Sequence, residues 1–422
     1  MTEPIFGITI ARDANEAATP SKAQMSVIGI CMPISKATAT LDADFTAAFP
    51  LDKLVRMNSN DTALLALCDP DGAFIDAVQG INAQLGSYQM AAELVVKRVA
   101  EGLDADETMA NIVGSSATGT GIHAFLNAGA EVGVYPRIII CPGHTSAQDT
   151  PATANPVAAA LPAVCEQILA VAIVDGPSTL AGFTDWVETL SSKRLIPVAG
   201  GVYAENSAGA AVLRAASPRI AGVAVRRDYE NGGSPFRSWA NQAIYGITAP
   251  ERKLRFSLTD GATEGQQILA AKGGIIVRGE SGDDFAIADG GFVYIGTDNL
   301  SADTIWDQYH KVRGRDFIEL TVLRTIRQYL GRFNLTTQTI QSVVNTVAAI
   351  CDQRQSAGDI LGSRSRFDPD KNNPADLRAG HIYVDLQFEE APVFRRLSVT
   401  SRPYAAALTA TINEIIARQD IL

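Results

Sequence analysis

The spacing of apolar positions changes period along this chain, and the period names the element at each point. From residue 137 the pattern is regular. Apolar runs at 138–141, 171–175, 195–198 and 220–225 alternate with helical stretches at 156–169, 179–191 and 207–216. Strand–helix repetition at this spacing predicts a parallel sheet with helices packed on it. Upstream, 26–32 reads as a short buried strand stopped by Pro33. Helices follow around 61–68 and 72–85, then a strand at 92–99 and short helices at 105–112 and 122–129.

Beyond residue 255 the pattern changes. A helical run at 266–272 closes at Gly273-Gly274, and three short strands follow at 275–278, 285–288 and 292–295. Glycine and aspartate between them supply turn chemistry, through positive φ and side-chain bonds to the backbone. Residues 305–312 read as a further strand. Phe317, Leu320, Leu323, Ile326 and Leu330 share one face of a helix over 317–330, and a second helix runs over 337–355 to Gly358. Ile382, Val384, Leu386 and Phe388 alternate with Tyr383, Asp385 and Gln387, the period of a half-buried strand. Leu397 and Val399 lie in a short strand at 397–400, and 404–418 is helical with Leu408, Ile412, Ile415 and Ile416 on one side.

At the other end, Phe6, Ile8 and Ile10 lie on one side of a strand followed by a polar linker, 11–25. That strand is either the edge of its own domain or an arm added to a neighbour's sheet. The linker's fifteen residues extend to at most about 50 Å. The expected fold class is α/β plus α+β, multidomain. The expected division is an arm and linker (1–25), an outer α/β domain (26–255, with a small subdomain at about 33–115), an inner α+β domain (256–400) and a C-terminal extension (401–422).

Composition narrows the function. Hydrophobic residues make up 46% of the chain, ample for real cores. Charged residues are 19%, against about 25% for an average soluble domain. A chain that buries much of its surface against neighbours has this composition, and so does an alanine-rich enzyme. A net charge of −11 argues against an electrostatic grip on nucleic acid. No apolar run reaches the roughly 18 residues of a membrane span, and the opening MTEPIFGITIARD lacks a signal-peptide layout. Assembly in the cytoplasm is the expectation.

Catalytic chemistry is sparse. The glycine-rich run 114–121 lacks the lysine that a phosphate loop places after its second glycine. There is no Gly-X-Ser-X-Gly elbow, and the four histidines, His123, His144, His310 and His381, are scattered. Cys141 and His144 follow one strand and Asp175 ends the next, where parallel-sheet enzymes place their sites. A cysteine nucleophile there is the rival reading; the simpler one is that glycine and proline make tight turns at these ends. No metal or cofactor is expected. The cysteines, Cys31, Cys68, Cys141, Cys165 and Cys351, have no metal spacing. They read as buried thiols or, being odd in number, as a source of intersubunit disulfides, with Cys31 and Cys351 the first to test. Arg313, Arg315, Arg324, Arg327 and Arg332 gather in one stretch, either a solvated helix face or a basic patch toward an acidic partner.

Several segments, taken in order, resemble the contractile phage tail sheath family, most closely the short sheaths of P2-like phages and R-type bacteriocins. They are VYPRIIICPGHT, SPFRSWANQAIYGI, ILAAKGGIIVRG, DGGFVYIGTDNLS, TIWDQYHKVRGRDFIELTVLRTIRQYLGRFN and LRAGHIYVDLQFEEAPV. Tyr294-Ile295-Gly296 departs from the family's usual tryptophan before that glycine. The resemblance implies a structural subunit, not an enzyme, that polymerises as six-fold helical rings around an inner tail tube and contracts to drive the tube through an envelope. It implies baseplate and tail terminator proteins as further partners, and a place in the virion tail. It also implies that the inner domain and its arginines face the tube. By the same resemblance, arm strands carrying Phe6, Ile8 and Ile10, or Leu397 and Val399, join a neighbour's sheet at 382–388. A sheath of a bacteriocin or secretion-type device is an equally good reading of these motifs.

Overall fold

Runs as short and apolar as Ile138–Ile140 are buried on both faces, which places them inside a covered sheet. A computed structural model of the chain describes residues 24–86 and 91–419; Phe6, Ile8 and Ile10 lie outside the described residues. Six strands, β1 (Ile28–Pro33), β2 (Val55–Asn58), β3 (Glu93–Val99), β4 (Ile138–Ile140), β5 (Val171–Gly176) and β6 (Leu195–Ala199), form one sheet in the order β2-β3-β1-β4-β5-β6. All neighbours are parallel except β2, an antiparallel edge on β3. The expected small subdomain at 33–115 is therefore not separate: its strands β2 and β3 complete the main sheet.

Parallel strands need crossovers, and these run through α1 (Asp42–Ala48), α2 (Thr62–Leu65), α3 (Ala73–Asn82), α4 (Ala105–Val113), α5 (Ala128–Glu131), α6 (Pro156–Ile168) and α7 (Leu180–Glu188), while α8 (Ser217–Glu230) follows the last strand of the sheet. Alternate strand residues feed two cores. Ile138, Ile140 and Ile173 pack with residues of α3 and α8. Ile139, Ala172 and Val174 pack on the other side with α4, α6 and α7. Asn155 caps α6, accepting from the amides of Val157 (3.0 Å) and Ala158 (2.9 Å), and Pro156 opens the helix.

Two expected elements are corrected here. Residues 220–225, expected as a strand, lie inside α8. The segment is buried on nearly every side, so its apolar run carries no period to read. Residues 207–216, expected as a helix, form a hairpin of β7 (Val202–Glu205) and β8 (Ala211–Arg214). Asn206 accepts from two amides in the turn and Gly209 takes φ +75°, a conformation that ends alanine-rich helix propensity at once.

The packing also crosses the expected domain boundary at 255. β9 (Gln242–Ala243) pairs with β12 (Phe292–Ile295), which pairs with β11 (Ile275–Arg278) beside α9 (Glu264–Ala270), while β10 (Ala249–Pro250) pairs with β7. Val198 bridges Gly274, and Ser192 bridges Leu300. Residues 285–288, expected as a strand, form a turn in which Asp283 accepts from the Phe285 amide (2.9 Å). Asp303 does the same for Ile305 (2.9 Å), and 305–312, also expected as a strand, runs into the next helix.

That helix, α10 (Tyr309–Ile326), precedes α11 (Thr337–Ser356), β13 (Ile360–Phe367), α12 (Pro374–Arg378) and β14 (Val384–Glu390). Of these, α10, α11, β13 and β14 share a third core with Met25 and Phe236, built on Phe317, Ile318, Ile350 and Ile360 among others. The described residues through Pro392 form one compact unit, and those from Val393 form a second. The second holds α13 (Ala405–Gln419). Residues 397–400, expected as a strand, are not in regular structure, because among the described residues no second strand bonds their backbone.

Gly29 lies in the central strand β1, where an added Cβ would stand 2.9 Å from Pro136 Cβ and 3.2 Å from the Phe125 ring. Gly29→Val is expected to destabilise the fold by about 1–3 kcal/mol through overpacking, read from the denaturation midpoint. An unchanged midpoint would mean that the 125–136 passage is not packed against β1.

Candidate interaction surfaces

Helix α10 is fastened to the sheet by buried ions. The Arg313 guanidinium donates to both carboxylate oxygens of Asp228 (3.0 and 2.6 Å) and to the carbonyl of Met25 (3.1 Å). Ser26 donates to the same carboxylate (3.2 Å). Both members of the pair are 1% exposed. Burial pushes the Asp228 carboxyl above its ordinary range, and Arg313 opposes that shift. Arg194, just before β6, grips Asp316 through two contacts and reaches Glu166 of α6 (3.0 Å). Arg354 of α11 donates to Ser234 (2.5 Å) and Asp359 (3.3 Å). At the start of α10, Tyr309 stacks on Trp239 at 4.4 Å and donates to the Gly296 carbonyl (3.0 Å).

This geometry corrects part of the basic patch. Arg313 faces the core, not a partner, because its charge is consumed by Asp228. Arg315 is also structural: it donates to Glu390 (2.8 and 3.2 Å) and to the Phe388 carbonyl (3.1 Å), and lies over the Phe388 ring at 4.2 Å. It pins β14 to α10. Arg324 is half-buried, while Arg327 and Arg332 are exposed near the far end of the helix.

β13 and β14 form an antiparallel ribbon in register from Gly362 opposite Glu389 to Phe367 opposite Val384. Leu386 and Phe388 pack on the third core. Val384 and the preceding Ile382 line an adjoining groove. The ribbon has two strands, so among the described residues each strand keeps one edge unpaired. β13 has no counterpart among the sequence expectations. Its Gly362-Ser363-Arg364-Ser365-Arg366 run is polar, and the usable signal was the Gly358 turn ahead of it. In the second unit Leu397 and Val399 are 69% and 79% exposed.

The strand-end residues of the rival enzyme reading serve the fold. The Asp175 carboxylate accepts from the amides of Ala216 (3.0 Å) and Ser217 (2.8 Å) and from the Ser217 hydroxyl (2.5 Å), holding the start of α8. Burial raises its pKa to about 6 against those three bonds. Cys141 is 1% exposed, and its thiol is pushed well above the ordinary range by a bond to Cys31 and by burial, so the thiolate nucleophile is suppressed. His144 is lowered by burial. Thr145 ties this turn to the β5 backbone through Asp175 (2.8 and 2.9 Å) and accepts from Trp186 (3.0 Å). Cys31 and Cys351, the candidates for intersubunit disulfides, are both fully buried within the chain. Neither thiol can meet a neighbour's without unfolding its own core.

No protein-family model matches the chain. Its fold is that of contractile injection sheaths: it superposes on the sheath of the PVC extracellular contractile injection system, in the contracted state, with a TM-score of 0.66 and 13% identity, over 95% of this chain and 99% of that one. In sequence it is 29% identical over 320 residues to a prophage major tail sheath protein of Pseudomonas aeruginosa (strain UCBPP-PA14), covering 72% of this chain and 78% of the relative. It is 24% identical over 387 residues to the tail sheath protein of Escherichia phage P2, covering 88% and 91%. The relatives it resembles in sequence are thus named tail sheath proteins.

Two outcomes check these assignments. Arg313→Ala leaves Asp228 buried and unpaired and is expected to cost about 3–5 kcal/mol, with Asp228→Asn in the same chain recovering part of it. A loss below about 1 kcal/mol would return Arg313 to the class of surface charges. The second concerns Asp175. A carboxyl raised to about 6 in the fold and near 3.9 when unfolded takes up its proton first in the folded state. Its contribution therefore improves stability as pH falls from about 7 to 4. Asp175→Asn keeps an acceptor and removes the titration. The difference between wild-type and variant unfolding free energies should shift toward wild type by on the order of 2–3 kcal/mol over that interval. Parallel pH profiles would contradict the assignment.

Proposed function

We propose that this chain is the subunit of a contractile tail sheath, polymerising as six-fold helical rings around a tail tube and contracting to drive the tube through a host envelope. The observation that carries the reading is the β13–β14 ribbon, in which each strand has one open edge among the described residues. Open edges of seven and eight residues are a liability in an isolated chain and a socket in a polymer. The arm segments with Phe6, Ile8 and Ile10, and with Leu397 and Val399, have the alternation to fill them. Adding strands from other copies links each subunit to its neighbours by backbone bonds, and contacts between unlike surfaces propagate as an open helix. During contraction the arms stay paired while compact bodies shift between two packings. Exposed Arg327 and Arg332 are the members of the arginine group placed to meet an acidic tube surface. Baseplate and terminator proteins would close the two ends. The virion tail, assembled in the host cytoplasm, is the corresponding location; a bacteriocin or secretion device would use the same joint.

Electron microscopy of the purified protein tests the reading. Long hollow polymers are expected, and small globular particles alone would overturn it. Deleting residues 1–15 should leave a folded monomer, with its unfolding midpoint within about 1 kcal/mol of the full chain, and abolish polymers. A deletion variant that still builds long, contractile polymers would refute the arm joint.

A further inference from the structure

Two apolar surfaces remain after the ribbon joint is assigned, and they fit each other. One is a groove of about 600 Å³ between the end of α10, the start of α11 and the passage from α12 to β14. Ile326, Leu330, Val343, Val347, Leu377 and Ile382 line it. The other is a stripe on α13. Leu408, Ile412, Ile415 and Ile416 follow the i, i+4, i+7, i+8 spacing of one helix face and are 71%, 56%, 52% and 51% exposed. The described side chains of α13 are all exposed, so its own unit gives the stripe no cover. A free fifteen-residue helix is marginal in water, and a stripe of this spacing is the form in which helices enter grooves.

We propose that α13 of one copy docks in this groove on a second copy of the chain. Two observations favour a second copy over any other occupant. Twelve residues, 393–404, separate the compact unit from α13, and extended they reach at most about 40 Å, enough to leave one body and arrive at another. Ile382 and Val384, which line the groove, lead directly into β14, so an arm strand at 397–400 that pairs with the ribbon brings its own α13 beside the groove. The docking rests on the sheath reading only in requiring neighbouring copies. It adds a side-chain lock to a backbone joint: strand pairing alone is tolerant of register, whereas four side chains in one groove fix it.

The buried state of all five native cysteines makes disulfide trapping a clean test. Leu330 and Ile412 are 76% and 56% exposed, so Leu330→Cys and Ile412→Cys leave the cores intact. Full-length chains carrying one change each are mixed, allowed to polymerise and oxidised with copper phenanthroline. A disulfide-linked dimer formed only in the mixture is expected. Adding Ile416→Glu to the second chain should lower its yield about tenfold, the loss of one anchor side chain, whereas Ala410→Glu on the opposite face should leave it unchanged. Polymers without the cross-link would overturn the docking and leave the sheath reading standing. A cross-link confined within one chain, in the doubly substituted protein, would overturn it equally. Cross-linked dimers without polymers would uphold the docking and overturn the sheath reading; neither product would overturn both.

Discussion

The bidentate pair between Arg313 and Asp228 is the constraint on which the rest of this molecule depends. It joins the second turn of α10 to the last turn of α8, and through Met25 and Ser26 to the entry of β1. A charge pair at 1% exposure is not a large source of net stability, because desolvation offsets much of the attraction. Its effect lies in what it forbids. Drawing α10 away from α8 would strand two charges in an apolar interior, so the helix cannot shift gradually. Arg194 with Asp316 and Glu166 repeats the device one turn further along α10, against β6 and α6. The ribbon is then tied to α10 by Arg315 through Glu390 and the Phe388 carbonyl. A force applied at the ribbon is thus carried to the six-stranded sheet through ion pairs that break only at high cost.

That chain of fixed contacts gives the open ribbon its meaning. A flexible hairpin with free edges would be an aggregation hazard. The same hairpin on a stiff body is a connector with a defined direction. The residues that looked most like chemistry have gone into the fold. Asp175 holds α8, and Cys141 and Cys31 sit side by side within the core at the point where the strand order reverses. Parallel-sheet enzymes keep that point open for ligands.

The sequence made the parallel sheet legible because β4, β5 and β6 are short, apolar save for Asp175 near the end of β5, and separated by helices of normal length. It also made β14 legible, since Val384, Leu386 and Phe388 alternate on a half-covered face. It failed where burial erased the period. Ile220 to Val225 are apolar in unbroken series because α8 is surrounded, and nothing in such a run separates helix from strand. It failed again where a turn outweighed propensity, at Gly209 and at Asp283. The basic patch was misjudged for a related reason. Five arginines in one stretch look alike in sequence, but their partners, Asp228 for Arg313 and Glu390 for Arg315, lie 85 and 75 residues away. Only the fold brings those carboxylates close, and only then do Arg327 and Arg332 stand apart as exposed.

The central claim is that the β13–β14 ribbon is completed by strands from other copies of the chain. Hydrogen exchange at the outward amides of Ile360–Phe367 and Val384–Glu390 tests it most directly, comparing monomer with assembled polymer. Fast exchange in the monomer and strong protection in the polymer, confined to the edge-facing amides of these two strands, is the predicted result. Equal exchange in both states would contradict the account.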